Sequence, residues 1–269
     1  MRFFLIRLPF VFGQNRNSFA EPFTVLTEII IFDIQLIYKM NIVFFTGAGI
    51  SAESGIKTFR DADGLWEDHS IYEVATPEAF ERNPELVLEF YNQRRRQMYE
   101  VEPNKAHVAI AKMQEEFQVD VVTQNVDNLH ERAGCKNVLH LHGELDKGRS
   151  SAVDGHYVDL GGKAIQPEDR AKDGSRLRPH VVWFGEAVPA IEAAAVKIQN
   201  ADVLVIVGTS LQVYPAAGLI HETKANCNLY YIDPKAEIPA ELSRHIELIN
   251  EPAVQGVQTF EEILRRKLI

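Results

Sequence analysis

Asn41-Ile42-Val43-Phe44-Phe45-Thr46-Gly47-Ala48-Gly49-Ile50-Ser51-Ala52-Glu53-Ser54-Gly55-Ile56-Lys57-Thr58-Phe59-Arg60 is the stretch around which the rest of the chain is arranged. Ile42 to Phe45 is a short continuous apolar run, the pattern of a strand buried on both faces. It breaks into a glycine turn followed by small residues that can open a helix. The spacing Gly47-x-Gly49-x-x-Ala52 fits a dinucleotide turn: one glycine for the tight bend, one for close approach of a pyrophosphate, one small residue where helix meets strand. An ordinary strand-to-helix turn fits the same spacing. A dehydrogenase-type site also needs an acidic residue at the end of a second strand about twenty residues on. Phe59-Arg60-Asp61-Ala62-Asp63-Gly64-Leu65-Trp66 stands there instead, with acids but no apolar strand before them. It reads as a polar loop, a lid over a cofactor.

The 269 residues suffice for one large domain or a large domain with a small satellite. A net charge of −10 argues against general affinity for nucleic acid, with Arg94-Arg95-Arg96 the one local exception. The two cysteines, Cys135 and Cys227, lie far apart, so neither a disulfide framework nor a four-cysteine zinc site is available, and a reducing, cytoplasmic compartment is expected. Met1 to Phe12 is apolar but carries Arg2 and Arg7, is too short to span a membrane and lacks a small-x-small cleavage pattern. Residues 1–39 are expected to be an extension of doubtful structure, with the folded domain running from 40 to 269.

Strand and helix then alternate, which predicts a parallel sheet covered on both faces. Thr76-Pro77-Glu78 opens a helix, and Pro84 to Tyr99 is amphipathic, its arginines reading by charge pattern alone as a solvated face. Lys105 to Phe117 is the next helix. Val119 to Thr123 is a strand ending in Gln124-Asn125-Val126-Asp127-Asn128-Leu129-His130, amides and a carboxylate in the crevice where such sheets bind ligands. Val138 to Glu144 is expected to be one short strand that puts His140 and His142 on the same face, with Gly143 leaving room for a ligand beside the second ring. Residues 146–179 are polar and without period, an excursion from the main sheet. Pro179 to Glu186 is extended, Ile191 to Asn200 helical, and Asp202 to Val207 the most apolar strand, ending in Gly208-Thr209-Ser210. Pro215 to Ala225 is a helix, Leu229 to Ile232 a strand ending in Asp233, and Thr259 to Leu268 a closing helix.

Gly47-Ala48-Gly49-Ile50-Ser51, Gly55-Ile56-x-x-Phe59-Arg60, Thr123-Gln124-Asn125-Val126-Asp127, His142-Gly143, Val182-Trp183-Phe184-Gly185-Glu186 and Gly208-Thr209-Ser210 occur in the order that marks the sirtuins. From about Met40 onward the chain resembles these NAD-dependent protein deacylases, and within them the bacterial CobB type, close to the mitochondrial desuccinylase. The resemblance implies an α/β fold: a Rossmann-type parallel sheet with helices on both faces, plus a small domain built from insertions at about 55–100 and 144–180. It implies NAD as co-substrate and acyl-lysine proteins or peptides as partners. Gly47, Ala48, Gly49, Ser51, Ala52, Phe59, Arg60, Trp66, Gln124, Asn125, Asp127, Gly208, Thr209, Ser210, Asp233 and Ala253 would contact NAD. Asn125 and Asp127 would place ribose and nicotinamide, and His142 would act as general base on the ribose hydroxyls while the acyl group passes to ADP-ribose. Val182, Trp183, Phe184, Gly185 and Glu186 would pair with the substrate backbone as an added strand.

Two departures stand out. Many sirtuins carry two Cys-x-x-Cys pairs in the small domain, whereas Lys147 to Arg178 has no cysteine, so no zinc is expected. At the adenosine end Tyr231-Ile232-Asp233-Pro234 stands where the family often has asparagine. The desuccinylase branch is matched by Ala75, which widens the acyl channel, and by Tyr91 and Arg94, three apart on a helix and suited to an acyl carboxylate. That takes Arg94 out of the solvated face and leaves Arg95 and Arg96 on it. A mono-ADP-ribosyltransferase and a silent NAD-binding regulator are the alternatives.

Overall fold

A computed structural model describes residues 39–57, 69–153, 155–236 and 246–268 in full, and the backbone of Leu65 and Trp66. Residues 1–38, Phe59, Arg60 and the Trp66 side chain, with the expectations attached to them, lie outside the described residues. The elements run β1 (Asn41–Thr46), α1 (Gly49–Ala52), β2 (Leu65–Trp66), β3 (His69–Ser70), α2 (Ile71–Val74), α3 (Pro77–Arg82), α4 (Pro84–Glu100), α5 (Lys105–Met113), β4 (Gln118–Thr123) and α6 (Leu129–Arg132). There follow β5 (Val138–His140), β6 (Gly143–Ser150), β7 (Tyr157–Asp159), β8 (Leu177–Val181), α7 (Ile191–Gln199), β9 (Val203–Val207), a 3-10 helix (Ala216–Glu222), β10 (Asn228–Ile232), β11 (Ile246–Ile249) and α8 (Ala253–Leu268).

The main sheet has the order β11-β10-β9-β1-β4-β5 and every pairing in it is parallel. Counted along the chain this is 6-5-4-1-2-3, the doubly wound order, whose switch point falls between β1 and β9. The continuous apolar run of β1 follows from burial on both faces: Ile42 and Phe44 join a core with Ile110, Val257 and Phe260, while Val43 and Phe45 join another with Ile198, Ile206 and Leu219. A third core draws Val74, Phe80, Val87 and Tyr91 together with Leu145, Leu177, Val181 and Trp183. Asn83 ends α3 and starts α4, its side-chain oxygen accepting from Leu86 N at 3.2 Å, and Thr76 caps α3 by accepting from Ala79 N at 3.1 Å. Each such cap contributes about 1 kcal/mol and fixes the corner at which the helix turns.

Several expectations are corrected. The segment 138–144 is not one strand: it breaks at Leu141-His142, β5 pairing with β4 and β6 with β8. The polar stretch after Asp146 is sheet in part, the antiparallel β7-β6-β8, whose Leu145, Leu177 and Val181 join the third core. The expected lid ends in a two-residue strand, Leu65-Trp66, paired antiparallel with His69-Ser70. The closing helix starts six residues early, at Ala253, where Glu53 reaches over to accept from Val254 N at 2.8 Å.

Arg95 does not belong to a solvated face. It is fully buried, donating from Nε to Leu145 O at 2.5 Å and from Nη1 to Asn92 Oδ1 at 2.8 Å and Lys163 O at 3.3 Å. The loop through residues 163–165 covers that turn of α4, and only a planar fork of donors can serve carbonyls converging from two directions. Arg96, one residue on, is exposed.

Candidate active site

The two glycine turns meet at the switch point. Gly47 N donates to Val207 O at 3.0 Å and Gly49 N to Gly208 O at 2.8 Å. A Cβ on Gly47 would stand 2.7 Å from Thr209 Cβ, and one on Gly49 would stand 2.6 Å from Gly208 Cα. The glycines are therefore required by the neighbouring turn as well as by any ligand, a reason the local spacing does not contain. Of the N–H groups from Gly47 to Ser51, those of Gly47, Gly49, Ile50 and Ser51 donate within the protein, and that of Ala48 has no acceptor among the described residues.

Opposite lies a connected set of polar side chains. Ser51 Oγ donates to Asp127 Oδ2 at 3.0 Å and accepts from Asn125 Nδ2 at 3.2 Å, while Asp127 Oδ1 accepts from Leu129 N at 3.1 Å. Ser51, Asn125 and Asp127 are all buried, and burial raises the Asp127 pKa against the pull of its Leu129 and Ser51 donors. Gln124 Nε2 donates to Thr209 Oγ1 at 3.0 Å and Leu211 N donates to the same oxygen at 3.2 Å. With both lone pairs taken, the Thr209 hydroxyl has its proton to offer a ligand. Ala48 N–H and this hydroxyl, on the two adjoining turns, suit an anionic, hydroxyl-rich ligand such as NAD.

His142 faces Gln124 O through Nδ1 at 3.0 Å. A carbonyl can only accept, so Nδ1 carries the proton and Nε2 is the basic nitrogen. Burial lowers the ring's pKa further than the Gln124 carbonyl raises it, and this net lowering favours the base form at neutral pH. Gly143 does not leave room for a ligand: at φ +83° it lets β6 turn away, and a Cβ there would collide with the His180 carbonyl. Signals that sequence reading left without a role also gather here. His140 reaches Asn125 O, and Thr46 Oγ1 lies 3.1 Å from His130 Nε2.

The remaining expected contacts are less convergent. Asp233 Oδ1 accepts from Lys235 N at 2.9 Å, and Ala253 packs in the core at the start of α8. Tyr91 is fully buried, its hydroxyl accepting from Trp183 Nε1 at 2.9 Å, and it stands against Phe80, Phe90 and Trp183 with Ala75 in the same core. Arg94 lies over the Phe90 ring at 5.2 Å and lines a cavity with Lys57, Asp127 and the apolar Ile56, Met98 and Leu145. In Val182 to Glu186 the N–H groups of Val182, Trp183 and Phe184 donate to His142 O, Glu186 Oε2 and Ala75 O, at 2.9, 2.8 and 3.0 Å. Glu186 is held by Arg178 at 2.7 Å and Arg149 at 2.8 Å, and the Arg178 guanidinium stacks 3.2 Å over Trp183. Among the described residues no three histidines, cysteines or carboxylates gather as a metal site, and no helix is long and apolar enough to cross a membrane.

Residues 47–215 match the Sir2 family. A protein of Helicobacter pylori called NAD-dependent protein deacylase is 56% identical over 218 residues, covering 81% of this chain and 94% of its own length. One of the same name from Bacteroides thetaiotaomicron is 50% identical over 233 residues, 83% of this chain and 97% of its own. The solved structure of a Sir2 homologue in complex with NAD superposes with a TM-score of 0.75 at 35% identity, covering 95% of this chain and 98% of that one.

Proposed function

The chain belongs to the Sir2 family and is an NAD-dependent protein-lysine deacylase, and from that premise we propose that its acyl channel reads acidic groups, removing succinyl and malonyl efficiently and acetyl as well. The observation that carries this reading is the cavity where Arg94 and Lys57 share a lining with Asp127 among apolar walls. A carboxylate buried there without a cation would be expensive, while the guanidinium offers it two parallel hydrogen bonds. Ala75, Phe80 and Tyr91 do not line that cavity but pack together in the neighbouring core, where the small side chain of Ala75 is expected to leave the acyl channel wide enough for a neutral acetyl group as well.

NAD supplies an electrophilic ribose carbon and nicotinamide as leaving group. His142 takes a proton from the ribose hydroxyls at Nε2, since Nδ1 is fixed by Gln124 O. Asn125 and Asp127, tied through Ser51, orient the ribose and nicotinamide. Gly47, Ala48, Gly49, Ala52, Gly208, Thr209 and Ser210 form the bed of the diphosphate, with Asp233 and Ala253 toward the adenosine. With the N–H groups of Val182 to Phe184 engaged and Trp183 O accepting from Glu186 N at 3.0 Å, the acyl-lysine peptide pairs with the remaining backbone groups of this segment, Gly185 N–H among them. A protein substrate fits a surface of net charge −10 better than nucleic acid does, no membrane takes part, and the place of action is the cytoplasm.

The test is a mass-spectrometric assay of succinyl-, malonyl- and acetyl-lysine peptides with and without NAD, on the parent and Arg94→Met. Loss of one charge-assisted pair costs about 2–4 kcal/mol, roughly a thirtyfold to thousandfold fall in kcat/KM for acidic acyl groups with deacetylation retained. Equal falls for all three peptides would make Arg94 structural. Labelled protein in place of acyl-ADP-ribose would favour a mono-ADP-ribosyltransferase.

A further inference from the structure

Two imidazoles grip consecutive carbonyls of the loop that follows β4. His142 Nδ1 lies 3.0 Å from Gln124 O and His140 Nδ1 lies 2.8 Å from Asn125 O. They differ at the other nitrogen, for His140 Nε2 stands 2.8 Å from Glu131 Oε1 of α6, with the imidazole side chain only 7% exposed. A ring nitrogen meets an oxygen acceptor only by donating, so a histidine between two acceptors holds two protons and a positive charge. The charged and titratable groups around it are Glu131 and His130 of α6, Glu144 of β6 and Asp127 of the loop. Desolvation pulls the His140 pKa down, and the Glu131 bond and charge, the Asn125 carbonyl and Glu144 together raise it further than that, so the net shift is upward.

We propose that His140, held by Glu131, is a positioning residue of the deacylation site: its Nδ1 donor holds the Asn125 carbonyl, its Nε2 donor anchors the ring to Glu131, and its charge favours the ionised form of Asp127. Neither His140 nor Glu131 touches the reacting atoms in this reading. A neutral ring could serve only one of its two acceptors, leaving either Asn125 O or Glu131 without its donor. Asp127, which burial already pushes toward the neutral form, would at the same time lose a nearby positive charge. Because the folded-state pKa of His140 is raised, the arrangement is intact at lower pH and is lost as pH rises through that value.

The experiment uses the full chain with saturating acyl peptide, measuring kcat and KM for NAD from pH 5.5 to 9.5 in the parent and in Glu131→Gln, which keeps an acceptor at Oε1 and removes the charge. The alkaline limb of kcat/KM should move down by about one pH unit, a roughly tenfold loss at pH 8.5 with less than a twofold change at pH 6, while the acid limb set by His142 stays in place. Glu131→Asp, which keeps the charge, should restore part of the alkaline limb. Profiles that superpose, or a loss equal at every pH, would overturn the proposal. Independently of how the variants fold, the Cε1 proton of His140 in the parent, assigned by its absence in His140→Gln, should titrate above the ordinary histidine value. Titration below it would also overturn the proposal.

Discussion

Replacing Arg95 by methionine should destabilise the protein severely, while the same change at Arg96 should do almost nothing. Arg95 donates to Leu145 O, Lys163 O and Asn92 Oδ1, and the last of these also accepts from Ile165 N at 2.9 Å. The buried Leu145 carbonyl and the part-buried Lys163 carbonyl, left without this donor, cost about 1–3 kcal/mol each, the second toward the low end. Part of that is offset, because a guanidinium whose pKa burial lowers to about 10 no longer has to be desolvated and methionine fills much of its volume. A net loss of about 2–4 kcal/mol remains, and for a domain of this size that lowers Tm by roughly 5–15 °C. Arg96 pairs with Glu89 at 3.0 Å with both side chains more than half exposed, so its removal should change stability by less than about 1 kcal/mol. Differential scanning calorimetry of the two variants at pH 7.5 is the assay. An Arg95→Met protein melting within about 2 °C of the parent would refute the reasoning, since the shift expected from the orphaned carbonyls is several times larger.

Two further outcomes are expected. Gly143→Ala should cost about 2 kcal/mol or more, since it forces a side chain onto φ +83° and against the His180 carbonyl, and should reduce kcat at least tenfold by displacing the adjacent His142; unchanged kcat and Tm would count against the assigned geometry. His107 is fully buried with no hydrogen-bond partner for either ring nitrogen among the described residues, and burial lowers its pKa to about 4, so stability present above the unfolded value of about 6.5 is lost as pH falls toward about 4. His107→Phe should therefore raise stability by about 1 kcal/mol at pH 7 and flatten that acid decline, which urea titrations at pH 7 and pH 5 would read.

What could be read from the chain itself, and what could not, divides along sequence distance. β1, β4 and β9 are buried on both faces, so each is a run of apolar residues that needs no knowledge of its neighbours. β11 is an edge strand with Glu247 and Leu248 exposed, and its four residues carry no such run. The arginine triplet reads as solvated by its own charge, and only the loop that crosses it from about seventy residues away, reaching Arg95 and Asn92, makes the middle one buried. The alternation of His140 and His142 does survive the break in the strand, because both rings turn to the same loop after β4, yet nothing local distinguishes the doubly accepted ring from the singly accepted one. The glycines make the same point from the other side. Gly47 and Gly49 were legible as a turn for a ligand, whereas the atoms that forbid a Cβ there belong to Gly208 and Thr209, about 160 residues later. A substitution at Gly208 should on this ground be as damaging as one at Gly49, since a Cβ on Gly208 would come within 2.5 Å of Ile50 N, and the two turns can only exist as a pair.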